Sequence, residues 1–163
     1  MKIRAATPDD AASLLQIYAP LVEQTAISFE LTAPTAEEFA ERISAYGKSH
    51  AWLVAEDSGQ LVGYSYGTPH RPRQAYRQSV ETSVYVAQHC RGAGIGKRLY
   101  AELFRQLGPL GFHNAYAGIA LPNDSSIALH KTAGFDHIGV FREVGYKLNA
   151  WHDVSWWQRS IAP

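Results

Sequence analysis

Residues 80–107, VETSVYVAQHCRGAGIGKRLYAELFRQL, constrain the fold of this 163-residue chain more than any other stretch. Residues 80–87 alternate polar and apolar, which is the period of a half-buried strand. Ile95, Leu99, Leu103 and Leu107 then recur at helical spacing. Three glycines, Gly92, Gly94 and Gly96, lie between the two patterns. A strand that turns through glycines into a helix leaves backbone amides without intrahelical partners, at the positive end of the helix dipole. Such a turn binds phosphate, and Arg91, Lys97 and Arg98 add positive charge beside it.

Two familiar phosphate turns do not fit. A Walker A loop ending at Gly96-Lys97 needs glycine at position 91, which is Arg91, and a hydroxyl after the lysine, where Arg98 stands. A dinucleotide fingerprint needs GxGxxG, and here the third glycine comes one place early. That fingerprint also sits on the first strand–helix turn with an acid about 20 residues on, where this chain has Gly111.

The rest of the chain supplies the setting. Residues 3–6 read as a strand, and Thr7-Pro8-Asp9-Asp10 starts a helix carrying Leu14, Leu15, Ile17, Tyr18, Leu21 and Val22 at helical spacing. Thr35-Ala36-Glu37-Glu38 reads as a capping box for a helix running to Tyr46. Strands at 51–56 and 60–67 flank the turn Asp57-Ser58-Gly59, and a polar loop follows at 68–79. After the glycine turn and its helix come a strand at 113–121, a helix capped by Asn123 or Asp124 and ended by Gly134, and strands at 137–147 and 153–160. The order β-α-α-β-β-β-α-β-α-β-β is that of a mixed α+β domain, and the length suits one domain over 1–163.

Composition limits the partners. Net charge is zero, which argues against nucleic acid. Residues 1–60 hold nine acids and four bases, while residues 61–163 hold six acids and eleven bases, so the basic half contains the glycine turn. No apolar run reaches the roughly 18 residues of a membrane span, and no apolar signal region follows Met1, so a cytoplasmic location is expected. The single cysteine, Cys90, rules out an internal disulfide, and the seven histidines show no HExxH or Cys/His spacing, so no metal is expected.

Arg91, Gly94 and Gly96, preceded by SVYVA and followed by LPNDSSIALHKTAGF, resemble the acetyl-CoA-binding core of the GNAT superfamily of N-acetyltransferases. VETSVYV at 80–86, ALPND at 120–124, LHKTAGF at 129–135 and AWHDVSWWQ at 150–158 are similar to its phosphinothricin acetyltransferase group, which acetylates phosphinothricin, methionine sulfoximine and methionine sulfone. The resemblance spans residues 3–158 and is specific from 80 onward. It implies the GNAT fold, a mixed central sheet of about seven strands flanked by about four helices. It also implies acetyl-CoA as co-substrate and a homodimer.

Acetyl transfer from a thioester to an amine needs a base for the amine, donors for the developing oxyanion and, at most, a proton for the thiolate. Glu81 is the only carboxylate between Asp57 and Glu102, and it lies in the strand before the glycine turn. The resemblance gives it the role of general base. It places the pyrophosphate on Arg91, Gly92, Ala93, Gly94, Ile95, Gly96 and Lys97. It places the pantetheine arm and the oxyanion against the backbone of Val84, Tyr85 and Val86. A bulge in that strand would free such donors, and sequence does not show one. Asn123 is read as a cofactor contact or a helix cap, and Ser125, Ser126 and Lys131 as groove residues. His130 occupies the position of a tyrosine acid in many members; it is read either as a proton donor or as a lining residue.

For the acceptor, the loop 68–79 carries Arg71, Arg73 and Arg77, and Arg71 with Arg73 suits a bidentate grip on carboxylate or phosphinate oxygens. The resemblance gives Arg71, Arg73 and Phe29 to the acceptor, with Tyr85 beside it. Ala120 departs from the glycine of close members, which narrows the pocket and puts phosphinothricin itself in question. Trp151-His152-Asp153 invites a His–Asp reading, but neighbours in a strand face opposite ways, so an aromatic wall or dimer surface is expected. Two other functions compete. A CoA-binding sensor needs no base, which Glu81 speaks against. A peptide or protein N-acetyltransferase needs an open groove, which an arginine-bearing loop speaks against.

Overall fold

The computed structural model describes residues 1–161. The elements are β1 (Lys2–Ala5), α1 (Ala11–Gln24), α2 (Ala36–Tyr46), β2 (Trp52–Asp57), β3 (Gln60–Pro69), β4 (Ser79–Val86), α3 (Ile95–Leu107), β5 (Asn114–Ala120), α4 (Asp124–Thr132), β6 (Asp136–Lys147) and β7 (Ala150–Ser160). This is the order expected from the sequence, with β7 starting at Ala150, ahead of residue 153. Local chemistry sets several boundaries. Thr35 Oγ1 accepts from Glu38 N at 3.2 Å while Glu38 Oε2 accepts from Thr35 N at 2.8 Å, the reciprocal bonds of a capping box. Asn123 Oδ1 accepts from Ser126 N at 3.2 Å and caps α4. Ser58 and Gly59 close the β2–β3 hairpin with φ of 50° and 80°, and Leu148 and Asn149 close β6–β7 with 54° and 58°. Two successive residues with positive φ match the twist of the strands they join.

The strands form one sheet in the order β1-β2-β3-β4-β5-β7-β6. All neighbours pair antiparallel except β4 and β5. Parallel neighbours need a crossover, and α3 makes it. On one face α3 packs Leu99, Leu103 and Leu107 against Leu53, Val80, Ala115 and Trp157. On the other, α1 and α2 pack Leu14, Tyr18, Val22, Phe39 and Ile43 against Trp52, Val54 and Tyr64. Each fully buried leucine contributes about 1.5–3 kcal/mol, so both faces hold their helices firmly. No helix among the described residues is long and apolar enough to cross a membrane.

What positions the site is the parting of β4 from β5. They pair only from Ser79 opposite Asn114 to Glu81 opposite Tyr116. Beyond that rung β4 stays on β3 as far as Val86, and β5 stays on β7 as far as Ala120. Thr82 Oγ1 donates to Tyr116 O at 3.3 Å across the base of the gap. A wedge therefore opens between two strands that are each held on their outer side.

Candidate active site

Ladder alternation fixes which backbone groups face the wedge. Ala87 N donates to Val62 O, so Tyr85 and Ser83 spend their amides on β3, while Val84 and Val86 turn N–H and C=O into the gap. Leu121 N donates to Asp153 O, so Gly118 and Ala120 face the gap from β5. The sequence expectation needs correcting at two points. The β3–β4 register runs without a shift, so divergence from β5 rather than a bulge frees the donors. Tyr85 belongs to the wedge through its side chain, not its amide; that ring packs against Tyr18 and Tyr64 at 5.3 and 5.2 Å.

At the wide end of the wedge, Gly92 and Gly94 adopt φ of 83° and 75°, a region that side chains disfavour. Gly94 is the N-cap of α3, with no side chain capping it. The amides of Ile95, Gly96 and Lys97 therefore have no intrahelical partner, and the first intrahelical bond runs from Arg98 N to Gly94 O. Arg91, Gly92, Ala93 and Lys97 are exposed around this end, and Arg91 Nε donates to Val86 O at 3.4 Å. Gly96 is buried because α4 lies close: a Cβ there would stand 2.8 Å from Leu129 Cδ2. Free amides at a positive helix end, followed by a gap lined with unpaired amide and carbonyl groups, fit a ligand with a pyrophosphate and an extended, amide-bearing arm.

The narrow end of the wedge is lined by Thr82, Val84, Tyr85, Tyr100, Asn123, Ser126 and His130, with Ile27 over it from the α1–α2 loop. His130 is buried. Its Nδ1 lies 2.7 Å from Ser126 O, and a carbonyl only accepts, so Nδ1 carries the proton. Nε2 then accepts from the Tyr100 hydroxyl at 2.9 Å. Burial pushes the His130 pKa below its ordinary 6.5 and the Tyr100 pKa well up. At neutral pH His130 is thus a neutral acceptor with its one N–H already engaged, and the Tyr100 hydroxyl spends its proton on Nε2. Tyr100 escaped the sequence reading because it shares the helical stripe of an ordinary core residue.

The side chains of Glu81 and Tyr85 point to the α1/α2 side of the sheet. Glu81 is one-third exposed, and its Oε2 lies 3.2 Å from His70 Nδ1 and 3.8 Å from an Arg71 Nη1. His70 stacks on Tyr116 with ring centres 4.5 Å apart. Arg71 lies over the Trp156 ring at 5.9 Å, and the Trp156 indole N–H is buried without a partner among the described residues. Arg73 is exposed, and its side chain has no hydrogen-bond or ionic partner among the described residues. Phe29 sits farther out, against Gly145 and 6.3 Å from His152. Ile27, two residues before it, reaches the wedge instead.

The α1–α2 loop that carries both residues is tied at its base. Arg42 reaches Glu30 with both guanidinium nitrogens, at 2.6 and 3.0 Å, and holds that carboxyl below its ordinary 4.5. The Tyr18 hydroxyl also donates to Glu30, and Lys147 Nζ donates to Ser28 O at 2.6 Å. His152 and Asp153 form no pair: His152 Nε2 meets Lys147 O at 2.8 Å, while Asp153 Oδ1 accepts from Glu143 N at 2.7 Å in a bulge of β6. Cys90 is a loop thiol in a short helical turn after β4. The described residues hold no cluster of three or more His, Cys, Asp or Glu placed to bind a metal.

A family model described as an acetyltransferase (GNAT) domain matches residues 3–156. The chain is 39% identical over 165 residues to a phosphinothricin N-acetyltransferase of Streptomyces coelicolor, covering 99% of this chain and 96% of that protein. It superposes on a GNAT superfamily phosphinothricin acetyltransferase from Sinorhizobium meliloti, solved in complex with AcCoA. The TM-score is 0.93 at 36% identity, over 99% of this chain and 88% of that one. It also superposes on a ribosomal-protein-alanine N-acetyltransferase from Brucella melitensis with a TM-score of 0.94 at 38% identity, over 98% and 99% of the two chains. With the glycine turn, the parted strands and these likenesses together, the chain belongs to the GNAT acetyltransferase family and is an acetyl-CoA-dependent N-acetyltransferase.

Proposed function

We propose that the chain acetylates the amino group of a small L-amino acid or analogue, of the phosphinothricin, methionine sulfoximine or methionine sulfone type, by direct transfer in a ternary complex. One observation carries this reading. Glu81 stands on the last rung where β4 and β5 are paired, so the carboxylate sits where the wedge begins and on the face where an acceptor would lie. Acetyl-CoA supplies the thioester. The amides from Arg91 to Lys97 hold its pyrophosphate, Val84 and Val86 hold its arm, and Asn123 and Ser126 flank it from α4. Glu81 takes the proton of the acceptor ammonium, a contribution of about 10²–10⁴-fold. The wedge-facing N–H groups of Val84 and Val86 are the donors for the carbonyl oxygen. Arg71 grips the acidic end of the acceptor, and the unengaged Arg73 joins it. Ile27 and Tyr85 wall the acceptor on the loop and strand sides, with Phe29 farther out on the same loop. His130 lines the groove: its one N–H is held by Ser126 O and its Nε2 takes the Tyr100 proton, so the coenzyme A sulfur leaves as a thiolate.

A peptide acceptor is the second reading, favoured by the likeness to the Brucella melitensis protein. Incubation with acetyl-CoA and a panel of methionine sulfone, methionine sulfoximine, phosphinothricin and alanine-terminated peptides, with free thiol as readout, separates the two. Turnover of the free amino acids is expected; turnover of the peptides alone would replace this reading with the second. Glu81→Gln is expected to lower kcat by at least a hundredfold.

We infer further that two copies pair through the β6–β7 hairpin. Ile138, Val140, Phe141, Val144, Tyr146, Leu148 and Trp151 are all large, apolar and exposed there, on the edge strand of the sheet and its neighbour. A contiguous apolar strip of this kind marks an interface.

A further inference from the structure

We propose that His70 is a positioning residue for Glu81: its Nδ1–H holds one carboxylate oxygen so that the other is presented to the acceptor amine. The proposal rests on Glu81 being the base. A carboxylate accepts and does not donate, so the 3.2 Å contact to Oε2 requires the proton on Nδ1. The ring is held for that task from three sides. It stacks on Tyr116 with planes 17° apart, and meets Tyr76 and Trp156 edge-on at 5.9 and 6.2 Å. Arg71 competes for the same oxygen, but from 3.8 Å and on a side chain 45% exposed, against 14% for His70. Arg71 is therefore the partner free to leave for the acidic end of an acceptor, and His70 is the partner that stays. Arg71 Nη1 also donates to His70 O at 2.8 Å, so the two sit on one braced corner of the loop.

The groups that face the imidazole are Glu81 from β4, Tyr116 from β5, Trp156 from β7, and Arg71 and Tyr76 from its own loop. Only Glu81 is an anion, so it is the partner that decides the tautomer.

The test uses the full chain with His70→Phe, which keeps an aromatic ring for the stack, and His70→Asn, which returns a side-chain N–H donor near the Nδ1 position. With any acceptor turned over by the wild type, His70→Phe is expected to lower kcat by about tenfold to a hundredfold, the worth of one hydrogen bond to a charged group. The KM values for acetyl-CoA and acceptor stay within about twofold on the same reasoning. His70→Asn recovers most of kcat, because it restores the donor to Glu81. Wild-type kcat in His70→Phe, or no recovery in a folded His70→Asn, overturns the proposal. A readout free of any acceptor is the imidazole tautomer in ¹H–¹⁵N spectra: Nδ1–H in the wild type, reverting to Nε2–H in Glu81→Leu, which leaves no oxygen to accept it. An Nε2–H tautomer in the wild type also overturns it. Unimpaired turnover in Glu81→Gln would instead remove the base reading itself, so the two failures are told apart.

Discussion

Replacing Gly96 with alanine tests the donor end of the site most sharply. Gly96 is in the first turn of α3, and its amide is one of those without an intrahelical partner. A Cβ there would meet Leu129 Cδ2 at 2.8 Å, Cδ1 at 3.4 Å and Cγ at 3.8 Å. Carbon atoms prefer about 3.5–4.0 Å, so the closest approach is short by more than half an ångström. Either the Leu129 end group rotates or the start of α3 backs away from α4. Overpacking of this kind costs about 1–3 kcal/mol. The helical preference of alanine over glycine returns about 1 kcal/mol. The net loss expected is about 0–2 kcal/mol, and at about 2–4 °C per kcal/mol for a chain of this size Tm falls by no more than about 8 °C.

The larger effect falls on cofactor binding, because a displaced helix start carries its amides off the pyrophosphate. The KM for acetyl-CoA should rise by about tenfold, the loss of roughly 1.4 kcal/mol from charge-assisted bonds. Leu129→Ala removes every atom that clashes. In the double variant the clash is gone, so stability should exceed the additive expectation by about 1–2 kcal/mol, and the KM should return toward the wild-type value. Thermal or urea unfolding of the four proteins, with the acetyl-CoA KM of each, closes the cycle. Additivity within about 0.5 kcal/mol, or a KM that stays high in the double variant, would refute the steric argument.

Arg42→Met cuts the double bond to Glu30. Since both side chains are about one-third exposed and screened, the stability loss should be only about 1 kcal/mol, seen as a small fall in Tm. The acceptor KM should rise more noticeably, because Ile27 and Phe29 ride on that loop. Trp151→Glu places a charge in the exposed hairpin strip and should convert a dimer to a monomer in light scattering; a wild type that is already monomeric removes the pairing. Acidification tests the buried histidines. Burial holds His50 and His130 below their ordinary 6.5, so the unfolded chain binds more protons, and stability is full above 6.5 and declines as pH falls below it. Urea midpoints should be level between pH 7 and 8 and lower at pH 5.5, with part of that decline absent in His130→Asn.

The order of elements was legible because its determinants are local. Thr35 with Glu38, Asn123 before α4, and glycines at 92 and 94 act within one turn of where they stand. The candidate site was legible as far as its proposed pieces lie on single elements: Glu81 on an alternating strand, the amides of the glycine turn. It was not legible where function arises between elements. His70 is one residue in a polar loop until β5 brings Tyr116 beneath it and β4 brings Glu81 beside it. Tyr100 looks like core until α4 brings His130 to its hydroxyl. Ile27 and Phe29 differ by two residues, and only the path of the α1–α2 loop decides which one covers the wedge. The freeing of the Val84 and Val86 amides depends on where β4 leaves β5, and no property of β4 alone encodes that point.

The donor and acceptor halves meet at Gly118. Its backbone faces the wedge from β5, and on the α1/α2 side of the sheet a Cβ there would stand 3.3 Å from both Trp156 Cη2 and Cζ2 and from Val154 Cγ1. The missing side chain is what lets the Trp156 ring lie across β5, and that ring in turn underlies Arg71 and abuts His70. Any side chain at this position would push the indole outward and shift Arg71 and His70 beside Glu81, while Val84 and Val86 stay on the strand paired with β3. Under the proposed assignment, Gly118→Ala should therefore raise the acceptor KM and leave the acetyl-CoA KM unchanged; equal changes in both would refute the separation.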